Sequence, residues 1–137
     1  MTRPILLDTC ALIWVLNGDT LRGDAEVALR GAATAPGQLL ISPISAWEVG
    51  QLVSRGRLTL AADPMSWFQE PLDDGMALAP MPPSVLVASS FLPGSRLRDP
   101  GDRILAATAR AFGYRLMTRD KPLLDFAAEG HMTAIAC

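Results

Sequence analysis

The chain alternates between short unbroken apolar blocks and longer stretches in which apolar residues return every three or four positions. The blocks are Ile5-Leu6-Leu7, Leu39-Leu40-Ile41, Met76 to Ala79, Leu116-Met117 and Met132 to Ala136. Blocks of this length suit strands buried on both faces, and helical spacing between them suits crossover helices. The alternation predicts an α/β fold, a parallel sheet with helices on both sides. Turn and cap residues set the expected bounds. A strand from Ile5 to Asp8 leads into a helix from about Thr9 to Asn17, closed by Gly18. A second helix, near Leu21 to Ala33, ends before Pro36-Gly37, and a strand follows from Gln38 to Ser42. Ser45 is expected to cap a helix reaching about Ser54, with Gly56 as its stop. Asp63-Pro64 opens a helix to about Leu72, because proline suits the first helical position. A strand from Met76 to Ala79 precedes a short helix begun by Pro82-Pro83 and running through Val85, Val87 and Phe91. After a loop from Pro93 to Gly101, Asp102 opens a helix to Phe112, with Gly113 at its end. A strand from Tyr114 to Thr118, a short helix around Pro122 to Ala128 and a last strand from Met132 to Ala136 complete the pattern.

Against this pattern four acidic residues stand out: Asp8, Glu48, Asp102 and Asp120. Asp8 and Asp120 end predicted strands at the carboxyl edge, where open α/β sheets place their active sites. Glu48 and Asp102 fall in the first turns of predicted helices, where the macrodipole favours negative charge. Carboxylates converging from four distant segments repel unless a hard cation such as Mg2+ lies among them. Plainer readings exist for each. Asp8 and Asp120 are good helix caps, and Ser45-Ala46-Trp47-Glu48 matches the capping box. Asp99 precedes Pro100 and is placed in the loop, as a helper to Asp102. Ser42, Thr9 and Thr118 suit either a water-orienting role or ordinary turns and caps. Trp14, Trp47 and Trp67 sit beside aliphatics at helical positions and are expected in the core.

Composition narrows the classes. At 137 residues the chain is expected to form one domain. Its apolar runs are too short and too broken to span a bilayer or to make a signal peptide, so a cytoplasmic protein is expected. Two cysteines at opposite ends, Cys10 and Cys137, and one histidine, His131, argue against zinc, a Cys-His pair or disulfides. The formal charge of -2 hides an asymmetry. Arg96, Arg98, Arg103, Arg110, Arg115, Arg119 and Lys121 lie in one stretch with only Asp99, Asp102 and Asp120 opposing them. Arginine suits phosphate contacts, so this stretch is expected either to hold phosphate groups or to be a solvated surface.

The segments Leu6-Leu7-Asp8-Thr9-Cys10-Ala11-Leu12-Ile13-Trp14, Ser45-Ala46-Trp47-Glu48-Val49, Arg98-Asp99-Pro100-Gly101-Asp102-Arg103, Ala106-Ala107-Thr108-Ala109 and Thr118-Arg119-Asp120 resemble the PIN-domain family. More narrowly, they resemble the VapC-type toxin ribonucleases of bacterial toxin–antitoxin pairs. The resemblance runs over nearly the whole chain and implies a single Rossmann-like domain over residues 1–137, with about five parallel strands. It implies a metal-dependent endoribonuclease and carries the catalytic roles onto Asp8, Glu48, Asp102 and Asp120. Asp8 and Asp102 would hold the main Mg2+ or Mn2+ ion, with Glu48 and Asp120 completing the shell directly or through water. A metal-activated water would then attack phosphorus in line, leaving a 5′-phosphate. The implied partners are RNA, a cognate antitoxin and a second copy of the chain. Related toxins often read His-Arg-Asp-Pro-Phe-Asp-Arg where this chain has Leu97 and Gly101 in place of His and Phe. That departure leaves the acids intact and changes the packing around them.

Rival readings fare worse. A haloacid-dehalogenase-type phosphatase needs an acid where Cys10 stands, and no GxGxxG or GxxxxGK[ST] is present. The alternative from another class is a catalytically inactive PIN-like module that binds RNA or protein.

Overall fold

Ile5, Leu6 and Leu7 are all fully buried, so β1 (Ile5–Leu7) must lie inside a sheet covered on both faces. The computed structural model, which describes residues 2–94 and 97–137, places it so. β2 (Leu39–Ile41), β3 (Ala77–Leu78), β4 (Arg115–Thr118) and β5 (Thr133–Ala136) join β1 in one parallel sheet of order β3-β2-β1-β4-β5. The crossovers carry α1 (Thr9–Asn17), α2 (Gly23–Ala33), α3 (Pro43–Ser54), α4 (Pro64–Asp73), α5 (Pro83–Ala88), α6 (Pro100–Phe112) and α7 (Lys121–Ala128). Strand pleating splits the core in two. Ile5 and Leu7 pack with Leu12, Ile41, Phe68 and Met117 on one face, and Leu6 packs with Leu40, Leu105, Leu116 and Phe126 on the other. The α/β parallel fold expected from the alternation is the observed one.

Two helix caps differ from expectation. Ser42, not Ser45, caps α3, its hydroxyl accepting from the Ile44 N–H at 3.1 Å. Asp99, not Asp102, caps α6, accepting from the Asp102 N–H at 3.0 Å. In both, a proline directly after the cap occupies the first helical position, where its missing N–H costs nothing. α2 begins at Gly23 and not near Leu21, and α5 stops at Ala88, leaving Phe91 outside it. Within the Pro93 to Gly101 loop, Ser95 and Arg96 lie outside the described residues. No described helix is long and apolar enough to cross a membrane.

From β1 the chain winds outward through β2 to β3, then returns to lay β4 on the other side of β1. The switch point of the sheet is therefore the gap between the carboxyl ends of β1 and β4. In open α/β sheets that crevice takes the ligand.

Candidate active site

Asp8 and Thr118 meet across this gap. The Thr118 hydroxyl donates to Asp8 Oδ2 at 2.5 Å, and Asp8 Oδ1 accepts the Ala11 N–H at 2.7 Å, capping α1. The cap reading of Asp8 is right and incomplete, since its second oxygen is held by a separate strand. Burial raises its pKa foremost, the Thr118 and Ala11 bonds oppose this, and the Asp120 charge adds to the rise. Thr118 also accepts the Asp120 N–H at 3.0 Å. Asp120 in turn caps α7 through Leu123 at 3.2 Å.

Glu48 is not in a capping box. With α3 starting at Pro43, it lies beyond the first turn, out of reach of the cap. Its Oε1 instead accepts the Thr9 hydroxyl at 2.6 Å. Thr9 is also 2.8 Å from the buried Ser45 hydroxyl. Since Thr9 has one hydroxyl proton and gives it to Glu48, Ser45 is the donor in that pair. Thr9 and Thr118 thus orient carboxylates, a role distinct from the water-orienting and turn or cap roles that spacing offered.

α6 runs back against the sheet, which puts its first turn at the same edge. A Cβ built on Gly101 would lie 2.7 Å from Glu48 Oε2, so the Glu48 carboxylate rests on bare backbone there. Sequence reasoning treated Gly101 only as a departure from a pattern. Asp102, beside it, has no hydrogen-bond donor or ion-pair partner among the described residues. Burial first, then the charges of Asp120, Asp99, Glu48 and Asp8, push its pKa up to about 8. All four candidate acids and Asp99 therefore share one electrostatic neighbourhood.

A family model for the PIN domain matches residues 5–129. The chain belongs to the PIN-domain family. It is 32% identical over 123 residues to Ribonuclease VapC22 of Mycobacterium tuberculosis (strain ATCC 25618 / H37Rv), covering 90% of this chain and 91% of that protein. Its fold is similar to VapBC2 from Rickettsia felis bound to a promoter DNA fragment, with TM-score 0.68, 16% identity and coverage of 96% of this chain and 97% of the other. A toxin–antitoxin complex from Klebsiella pneumoniae matches with TM-score 0.62 and 23% identity over 96% of this chain and 95% of that one.

The donor set of this PIN domain is carboxylate oxygen, which suits a hard divalent cation. Among the described residues, no three of its His, Cys, Asp or Glu side chains are grouped tightly enough to hold an ion by themselves. A hard cation bound there would need water and substrate phosphate to complete its shell. The partnerless Asp102 carboxylate is the group such a charge would neutralise. Cys10 lies among the same acids, and its thiol is pushed up to about 11 by burial and by Asp8, Glu48, Asp102 and Asp120. It stays protonated at neutral pH and is no thiolate nucleophile.

Most of the described basic stretch is partly engaged within the fold, while Arg98 is exposed beside Asp99. Arg103 donates to the Ser89 and Leu97 carbonyls, Arg110 to His131, Arg115 to Arg3 and Arg119 to Cys137. Arg119 also stacks 3.7 Å over Trp14, and Lys121 pairs with Asp125. These side chains tie loops and strand ends down; Arg96 is outside the described residues. The expectation for the tryptophans also divides. Trp14 and Trp67 pack against the core, whereas Trp47 is 58% exposed. Trp47 lines a cleft of about 350 Å³ that includes Glu48, Asp99, Arg55 and Arg57 but not Asp8, Asp102 or Asp120.

Proposed function

We propose that this PIN domain is a metal-dependent endoribonuclease and the toxin of a toxin–antitoxin pair. The observation that carries the reading is that the charges of Asp120, Asp99, Glu48 and Asp8 all bear on Asp102, which has no hydrogen-bond or ion-pair partner among the described residues. Likeness to Ribonuclease VapC22 supports the RNA substrate. Asp8 and Asp102 are assigned the ion, Mg2+ or Mn2+, with Glu48 and Asp120 beside it directly or through water. Such an ion, when bound, supplies positive charge to the scissile phosphate and acidifies water at neutral pH. The chain's own residues prepare that event. Thr118 fixes Asp8, the Ser45–Thr9 relay fixes Glu48, and Asp99 holds the first turn of α6 so that Asp102 faces the other acids. With Cys10 protonated and His131 packed on Phe126, carboxylates are the bases within the site.

The test is to incubate the purified chain with total cellular RNA, with Mg2+ or with EDTA, and to map the cut ends. Cleavage that needs Mg2+ and leaves 5′-phosphates is expected. Asp8→Asn and Asp102→Asn should abolish it with an unchanged circular dichroism spectrum, because asparagine keeps the Asp8 cap. Asp99→Asn should retain measurable cleavage for the same reason. An Asp8→Asn protein as active as wild type would remove Asp8 from the site, and a wild type that cuts nothing would leave a binding module.

The same reading assigns a small antitoxin and a homodimer as partners, in line with the toxin–antitoxin complexes that share the fold. Leu86, Val87 and Phe91 expose 39%, 63% and 81% of their surface, an apolar offering suited to an interface. Light scattering at micromolar concentration should report a dimer; a strict monomer refutes it.

A further inference from the structure

We infer that the cleft along α3 seats the single-stranded RNA flanking the scissile bond, with Trp47 as a stacking platform and Arg55 and Arg57 as phosphate grips. This rests on the nuclease reading above and names how its substrate is held. In the last third of the chain Arg103, Arg110, Arg115 and Arg119 each give at least one N–H to a carbonyl, so the uncommitted guanidiniums of Arg55 and Arg57 gain weight as phosphate contacts. Arg55 and Arg57 are exposed, and neither has a side-chain hydrogen bond or ion pair among the described residues. Both line the same cleft as Glu48.

A large indole standing in water beside two free guanidiniums and a carboxylate centre has an evident complement. Base–aromatic stacking tolerates any base, and arginine supplies the charge that a polyanion needs when it approaches an acidic pocket. Glu48 and Arg55 are separated by about 10 Å along the helix axis, roughly the length of three stacked nucleotides. The acidic end of the cleft, Glu48 with Asp99, therefore meets the reacting phosphate, and the basic end meets the strand beyond it. Contacts of this kind position the strand and carry no base sequence. Double-stranded RNA, whose base faces are already stacked, gains nothing from Trp47.

The experiment measures binding of a fluorescent single-stranded RNA by anisotropy, in an Asp8→Asn background that does not cut it, across a salt series. Adding Trp47→Ala should weaken binding by about five- to a hundredfold, while Trp47→Phe, which keeps a ring, should stay near the parent. Arg55→Ala with Arg57→Ala should weaken binding and lower the slope of log affinity against log salt by about 1.4. In otherwise wild-type protein these changes should raise KM and leave kcat nearly unaltered. Unchanged affinity and slope in the variants overturn the inference, as does equal competition by a poly-glutamate of the same charge, which would make the cleft a site for acidic protein. If wild type cuts RNA while the variants bind like the parent, the inference alone fails. If the chain binds RNA through Trp47 and cuts none, the nuclease reading fails and the cleft assignment stands.

Discussion

One hydroxyl, that of Thr118, holds two of the four acids in register, giving its proton to Asp8 and accepting the Asp120 N–H. Thr118→Val keeps the shape and removes both bonds. A buried carboxylate losing a donor costs about 1–3 kcal/mol, and a supporting contact of this type carries about ten- to a hundredfold in metal affinity or activity. We expect both losses, read by chemical denaturation and by RNA cleavage; full activity in this variant would make Thr118 a packing residue only. Gly101 predicts a different separation. Its added methyl would press on the far end of a flexible Glu48 side chain, so Gly101→Ala should lower cleavage with little change in melting. Gly113→Ala provides the contrast. Its φ of 72° strains any side chain, so it should cost about 1 kcal/mol of stability and spare activity. If Gly101→Ala cuts RNA at the wild-type rate, the close approach to Glu48 has no functional weight.

At the scale of elements, most boundaries were readable because caps and prolines announce them. Asp63-Pro64 was placed correctly by the preference for proline at the first helical position, and Gly18 and Gly113 close their helices in the left-handed conformation that glycine tolerates. The same proline rule, applied to Ser42-Pro43 and Asp99-Pro100, would have found two starts that were put one turn late. In each, a second cap-type residue three positions on, Ser45 or Asp102, competed for the assignment. The error hid chemistry: with Ser45 as cap, Glu48 is consumed by a capping box, and with Ser42 as cap it is available. What periodicity could not show is exposure within a helix. Trp47 reads as apolar and helical, yet α3 turns it outward, and Arg103, Arg110, Arg115 and Arg119 read as free charge although each donates to a carbonyl. Asp8 and Asp120 stood out because carboxylates at strand ends are costly to bury without purpose. Gly101 did not, since its reason lies in a side chain from another helix.

For the whole molecule, crowded carboxylates make stability depend on pH and metal together. Asp102 has its pKa at about 8 in the fold, far above the ordinary carboxylate range, so the folded state binds the proton more tightly than the unfolded chain. Its contribution is fully present at acid pH and is lost as pH rises toward about 8; Asp8 and Glu48, also raised, act in the same direction. Metal-free protein should thus melt lower at pH 8 than at pH 5.5, and Asp102→Asn should flatten that difference. Identical pH profiles for the two proteins would refute the shift. An ion that binds only the native state adds RT ln(1 + [L]/Kd), about 2.7 kcal/mol at a hundredfold excess. We therefore expect a melting rise of several degrees with millimolar Mg2+ or Mn2+ at pH 8, reduced in Asp8→Asn and Asp102→Asn. No metal-specific shift beyond an ionic-strength control would return the acids to a purely structural role. The pairing of Asp8 with Thr118 across 110 positions of chain also sets a clock on synthesis. At about 5–20 residues per second, the first acid leaves the peptidyl transferase centre several seconds to some tens of seconds before the strand that orients it. Until β4 docks beside β1, Asp8 Oδ2 waits without the Thr118 hydroxyl that orients it, and the nascent chain carries its acids unassembled.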